Sequence, residues 1–315
     1  MAINYPGVLN QAELATGLLI RSIKINGQYL LCEDINFNQT QEIEASSDYI
    51  QGGPGTAIAN IGAKKFTGSI SFPIRVSTGG TLDPAFLEIL SHSQNPVSAL
   101  TIDTNHLVSH YDITAEDLAT DNNALLKIDA AVIKSLKISG SNQGLSASIE
   151  IEGMLDSNTA ANGVVPNSEL AYQGRKLSFA DCSVFREEAS MRTVSSFEIN
   201  LTNEIETPTF INPYLPAAQT RSDQIGLIGI KSIKWTGQVE EVMRKGVGLY
   251  SFIHGGWMVN ENLTLKIGPV TTLFRVPLFN ISEQPLSSGL MVRKTSWTGL
   301  IAPNRPLSSN GLFSY

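Results

Sequence analysis

Leu145-Ser146-Ala147-Ser148-Ile149-Glu150-Ile151-Glu152-Gly153 alternates apolar and polar residues without a break until its closing glycine. Successive side chains of a strand point to opposite faces, so Leu145, Ala147, Ile149 and Ile151 share one side and Ser146, Ser148, Glu150 and Glu152 the other. The same period of two recurs along the 315 residues, at 35–44, 66–76, 136–139, 176–184, 197–206, 233–242, 263–267 and 272–279. Val, Ile, Phe and Thr enrich these windows, as pleated, half-buried surfaces favour. Ile23-Lys24-Ile25, Asn26-Gly27 and Gln28-Tyr29-Leu30-Leu31 predict a hairpin closed by a type I′ turn. Two stretches predict helix: 83–90, with Asp83 as N-cap and Pro84 at the first helical position, and 247–253, ending at Gly255-Gly256. A short helical turn is expected at 112–117. The fold class is all-β, with one short helix in each half.

Composition narrows the function. Hydrophobic residues are 42% of the chain, enough for a sizeable core. Charged residues are only 16%, so the surface is polar but poorly charged, as in chains that hide surface in an assembly. Lys and Arg number 22 against 29 Asp and Glu, a net charge of −7, which argues against wrapping nucleic acid by phosphate neutralisation. Two cysteines, Cys32 and Cys182, exclude a disulfide scaffold and read as reduced core thiols. No secretory leader and no apolar run of membrane-spanning length is visible, so no membrane insertion is expected.

A Ser/Asn/Ala/Gly-rich stretch near 156–174 divides the chain into similar halves. Glu42-Ile43-Glu44 matches Glu204-Ile205-Glu206, which aligns Asn38 with Asn200 and Thr40 with Thr202. Thr67-Gly68 matches Thr236-Gly237. Each half then closes on a strand ending in glycine, Gly153 and Gly299. Order of elements more than identity carries this repeat.

Five windows share a polar face holding carboxylates and no Lys or Arg: Asn36, Asn38, Thr40 and Glu42; Thr67, Ser69 and Ser71; Ser146, Ser148, Glu150 and Glu152; Glu198, Asn200, Thr202 and Glu204; Thr236, Gln238 and Glu240. Ordinary solvated β-faces use Lys and Arg freely. Chance in a chain poor in charge gives the same pattern; the alternative is one wet, acidic surface. Such a surface repels phosphates and lets a polyanion slide without gripping it.

Strand style and element order across 18–300 resemble the tail tube proteins of tailed bacteriophages. The resemblance rests on 176–184, 194–206, the Pro-rich loop after them, the Thr-Gly strand, and 134–153. It implies two tandem β-sandwich or partial-barrel domains at 18–157 and 175–302, a linker at 158–174, and arms at 1–17 and 303–315. It further implies a virion protein made in the host cytoplasm and built into the tail. Copies would form trimeric pseudo-hexameric or hexameric rings stacked around a tape measure protein. Sheath, baseplate and terminator proteins are further expected partners, and DNA a transient passenger.

The residues expected to line the lumen are Asn38, Thr40, Glu42, Ser69, Ser71, Ser148, Glu150, Glu152, Glu198, Asn200, Thr202, Glu204, Gln238 and Glu240. The loops at 45–60 and 207–224, with Gly52, Gly53, Pro54, Gly55, Pro208, Pro213 and Pro216, are the expected ring-to-ring contacts.

No catalytic residue, metal or cofactor is expected. His106 and His110 lie four apart beside Asp103 and Asp112 but lack a third ligand, and Asp103-Thr104-Asn105 breaks a helical pattern. There is no P-loop, dinucleotide fingerprint or nucleophile elbow. Glu150 and Glu152 form a carboxylate pair of the kind any acidic strand offers. The rival reading is a baseplate, tail-tip or receptor-binding β-sandwich without enzymatic activity. It would call for exposed aromatic clusters, whereas Trp235, Trp257 and Trp297 fall in core registers.

Overall fold

Period-two patterning resolves into antiparallel strands in a computed structural model. It describes residues 17–46, 58–94, 100–109, 123–155, 174–186, 189–206, 229–244, 262–268, 273–277, 282–283, 291–301 and 313–314. The first half contributes β1 (Gly17–Ile25), β2 (Gln28–Leu30), β3 (Asp34–Ser46), β4 (Ile58–Pro73), β5 (Arg75–Val76), α1 (Pro84–Gln94), β6 (Leu100–Ser109), β7 (Asn123–Ser141) and β8 (Gly144–Leu155). The second contributes β9 (Arg175–Lys176), β10 (Cys182–Arg186), β11 (Ala189–Met191), β12 (Val194–Glu206), β13 (Gly229–Val242), β14 (Asn262–Ile267), β15 (Leu273–Pro277), β16 (Ser282–Glu283), β17 (Val292–Ile301) and β18 (Phe313–Ser314). The fold is all-β, and α1 is the one α-helix among the described residues.

Local chemistry explains the breaks between elements. Asn26 and Gly27 both have positive φ, 49° and 80°, as a type I′ turn requires. Asp83 Oδ1 accepts from the Ala85 amide at 2.9 Å, and Pro84 opens α1 where its missing N–H costs nothing. Ala85, Phe86, Ile89 and Leu90 form the buried side of this helix, with Phe86 edge-on to Phe72 at 5.9 Å.

Pairing repeats between the halves. In the first, β1 pairs β2 and β6, β6 pairs β7, β7 pairs β8, β8 pairs β4 and β4 pairs β3. In the second, β10 pairs β11 and β14, β14 pairs β15, β16 pairs β17, β17 pairs β13 and β13 pairs β12. The long β7 thus stands where β15 and β16 stand together.

The registers agree with the sequence alignment. Asn38 lies opposite Thr67 and Asn200 opposite Thr236; Phe66 lies opposite Gly153 and Trp235 opposite Gly299. β7 also pairs β12, from Thr202 opposite Ser135 to Ser196 opposite Ser141. One sheet therefore runs β3-β4-β8-β7-β12-β13-β17-β16 through both halves.

Its inner face is the core. Phe66, Ile70, Ile149, Ile151, Leu136, Ile138, Ile199, Leu201, Trp235 and Val239 are buried in one cluster with Ile23, Ile25, Val184 and Leu265 from the second layer. Strand glycines lie opposite aromatics, Gly68 opposite Phe37 and Gly140 opposite Phe197, where a ring from the neighbouring strand covers the missing side chain.

Several expectations need correction. The strand expected at 176–184 is split: Ser178 donates its amide and hydroxyl to the Asp181 carboxylate, each at 2.8 Å, and turns Phe179–Asp181 into a 3-10 turn between β9 and β10. The strand expected at 136–139 runs from Asn123 to Ser141, and β6 fills a region left unassigned. β3 continues to Ser46 and β4 begins at Ile58, so part of the loop expected at 45–60 is strand. The helix expected at 247–253, the turn at 112–117 and nearly all of the 156–174 stretch lie outside the described residues.

Candidate functional site

The face opposite the core is the candidate site. Alternation in each strand and register between strands place Asn38, Thr40, Ser69, Ser71, Ser148, Glu150, Glu152, Glu198, Asn200, Thr202, Glu204, Gln238 and Glu240 together there, all exposed or half-buried. One row crosses seven strands: Asn36, Ser69, Glu150, Ser135, Thr202, Lys234 and Leu300. The next runs Asp34, Ser71, Ser148, Lys137, Asn200, Thr236 and Thr298. Glu42 falls at a register shift between Gln41 and Ile43, and its side chain lies outside the described residues. Gly52, Gly53, Pro54, Gly55, Pro208, Pro213 and Pro216 also lie outside them.

The face carries both signs of charge. The polar-face residues named in the five windows include no cation, but Lys234 precedes Thr236 on the same face of β13, and the neighbouring β7 and β17 supply Lys137 and Lys294. Lys137 Nζ lies 2.9 Å from Glu198 Oε2. Asn200 Nδ2 donates to the other Glu198 oxygen at 2.7 Å. Partial burial pushes the Glu198 carboxyl up, but Asn200, Lys137 and Lys294 together outweigh it and hold the group below its ordinary value. Ser232 donates to Glu204 at 2.7 Å, and with Lys231 nearby this carboxyl is also lowered. Ser196 donates to Glu240 at 2.8 Å. Glu198, Glu204 and Glu240 are thus engaged laterally by neighbouring side chains.

Sequence reading missed the device that makes the two halves one surface. Asn203, buried on the inner side of β12, donates to the Ile133 carbonyl at 2.7 Å and the Ser93 carbonyl at 3.5 Å, tying the second half to β7 and the end of α1. β9 pairs β5, Arg75 Nη1 donates to the Gly174 carbonyl at 2.9 Å, and the Leu177 amide donates to the Ile74 carbonyl at 2.9 Å. Arg175 grips both Asp181 oxygens at 2.9 Å, holding that carboxyl well below the usual aspartate range. Phe179 stacks on Phe197 at 5.9 Å. The signal for Asn203 was available: it is a polar residue on the apolar side of an alternating strand.

Chemistry-bearing groups are sparse. Among the described residues no group of three or more His, Cys, Asp or Glu could hold a metal. His106 lies on β6, a strand, while His110 lies outside the described residues. Burial, with a nearby aspartate, pushes the Cys32 and Cys182 thiols up to about 12, which makes both poor nucleophiles. Glu241 and Arg293 form a buried ion pair at 2.7 Å on the core side of β13 and β17.

One sheet thus spans both halves, apolar within and polar without, and its end strands β3 and β16 are unpaired on their outer sides among the described residues. Residues 13–273 match the family described as phage tail tube protein, and the chain belongs to that family. It is a structural protein of the virion tail, of the kind that self-assembles into a tube. No curated protein matches it.

Proposed function

We propose that this chain is the major tail tube subunit of a tailed bacteriophage. Its polar sheet face lines a lumen that houses the tape measure protein and later conducts DNA. The observation that carries the reading is the largely polar face that two registered rows of residues form across seven strands of one sheet, in a member of the tail tube family. The repeated pairing order and the matching registers support a tandem duplication, with tail tube units at 18–157 and 175–302 and the linker at 158–174 between them.

Geometry favours three copies per ring. Strands lie about 4.8 Å apart, so three copies of the eight-strand sheet give a circumference of about 115 Å and a backbone diameter of about 37 Å before tilt widens it. Two copies give about 24 Å, too narrow for a double helix once side chains project inward. Six pseudo-equivalent units then surround the channel. A lumen of hydroxyls, amides and carboxylates suits passage: the carboxylates repel phosphate, and Lys137 is held by Glu198.

The loops carrying Gly52, Gly53, Pro54, Gly55, Pro208, Pro213 and Pro216 are the proposed ring-to-ring contacts. Sheath, baseplate and terminator proteins are further partners, and assembly takes place in the host cytoplasm. Negative-stain microscopy of concentrated protein tests the reading. Hollow tubes or rings are expected; a monodisperse monomer under every condition overturns it in favour of a tail-tip module.

A further inference from the structure

We propose that copies join through β3 of one and β16 of the next, with Glu283 opposite Asn38 and Ser282 opposite Gln39, and that charge restricts β16 to this one docking edge. This rests on the ring reading above.

The internal junction is the template. There Lys137 of β7 lies opposite Asn200 of β12, Leu136 lies opposite Leu201, and the Lys137 ammonium reaches Glu198 at 2.9 Å. Both outer edges map onto it. Asn38 pairs Thr67 as Asn200 pairs Thr236, so Asn38 stands for Asn200, Asn36 for Glu198 and Gln39 for Leu201. Gly153 pairs Phe66 as Gly299 pairs Trp235, so Ile149 and Ser148 stand for Thr295 and Lys294. Leu136 and Lys137 lie opposite Ile149 and Ser148 on β8; Ser282 and Glu283 lie opposite Thr295 and Lys294 on β17. Ser282 therefore takes the place of Leu136, and Glu283 that of Lys137. β3 and β16 have no strand on their outer sides among the described residues.

The charges at these positions differ between the junctions. Within the chain a lysine meets a glutamate. Between copies a glutamate position meets the exposed amides of Asn36 and Asn38. Were β16 of a neighbour to compete with β7 for β12, Glu283 would stand where Lys137 stands and face Glu198, a like-charge pair that disfavours the exchange. Against β3 no such conflict exists. The internal junction thus stays internal, and growth runs in one direction around the ring.

Asn36 is exposed, so it can be changed without touching the core. Asn36→Lys places a cation beside the Glu283 position and is expected to lower the concentration needed for assembly about two- to five-fold; Asn36→Glu is expected to raise it by a similar factor. Sedimentation reads the effect, and circular dichroism checks that both variants stay folded. In a Cys32→Ser, Cys182→Ser background, Asn38→Cys combined with Glu283→Cys is expected to crosslink between copies up to a closed trimer on oxidation.

Wild-type tubes whose assembly ignores the sign of the charge at Asn36, or that fail to crosslink at 38 and 283, overturn this junction and leave the tube reading standing. A wild-type chain that never assembles overturns both.

Discussion

Gly140 packs closely against the second half, and replacing it with alanine tests that contact. It lies on the inner face of β7, directly opposite Phe197 of β12. A Cβ built there would sit 2.5 Å from Phe197 Cζ and 3.1 Å from Phe179 Cδ2. Carbon atoms pack at about 3.5–4.0 Å, so the Phe197 ring must move by about 1 Å or more. It has little room, being 3% exposed and stacked on Phe179. Overpacking of this kind costs about 1–3 kcal/mol. Disturbing the aromatic pair adds about 0.5–1.5 kcal/mol, and restricting the unfolded chain returns about 0.4–1 kcal/mol.

Gly140→Ala should therefore destabilise the subunit by about 1–3 kcal/mol, read as a lower urea midpoint at unchanged slope under non-assembling conditions. Adding Phe197→Leu, which removes the obstructing ring edge, should give a combined loss smaller than the sum of the single losses. A Gly140→Ala subunit as stable as wild type, or strictly additive losses, would refute the junction packing described here.

Three further outcomes follow from the same structure. Asn203→Leu removes the donor to the Ile133 carbonyl at a buried site and should cost about 1–3 kcal/mol in denaturant unfolding. Arg293→Ala leaves Glu241 buried without its ion-pair partner and should cost about 3–5 kcal/mol, while the double change Arg293→Met, Glu241→Leu should cost far less. The Asp181 and Glu198 carboxyls are held below their unfolded values of 3.8 and 4.5, so the stability they add is present above those values and is lost as pH falls through the folded ones; Asp181→Asn should flatten that acid limb of a thermal melt.

Alternation made the central strands legible, because a sheet with one buried face must read apolar-polar along β4, β8, β12 and β13. Asn26-Gly27 and Asp83-Pro84 marked their turn and helix start through local backbone chemistry alone. β7 was legible only near its C-terminal end, because register shifts between Asp129 and Val132 and between Ile133 and Ser135 throw the period out of step. β6 escaped notice because Asp103 and Asn105 are poor strand formers held by pairing with β1 and β7.

The polar face was readable strand by strand, but its charge balance was not. Lys137 joins that face only through the pairing of β7 with β12, a contact between residues far apart in sequence. Glu241 and Arg293 were hidden for the same reason, since only cross-strand register shows that two core-side charges meet.

A reconstruction of assembled tubes by electron cryomicroscopy is the decisive measurement. Glu150, Asn200 and Gln238 should line a channel wide enough for a DNA duplex, ringed by three copies joined edge to edge through one continuous sheet. The same face on the outside of the tube, or packed against a neighbouring ring, would contradict the lumen assignment.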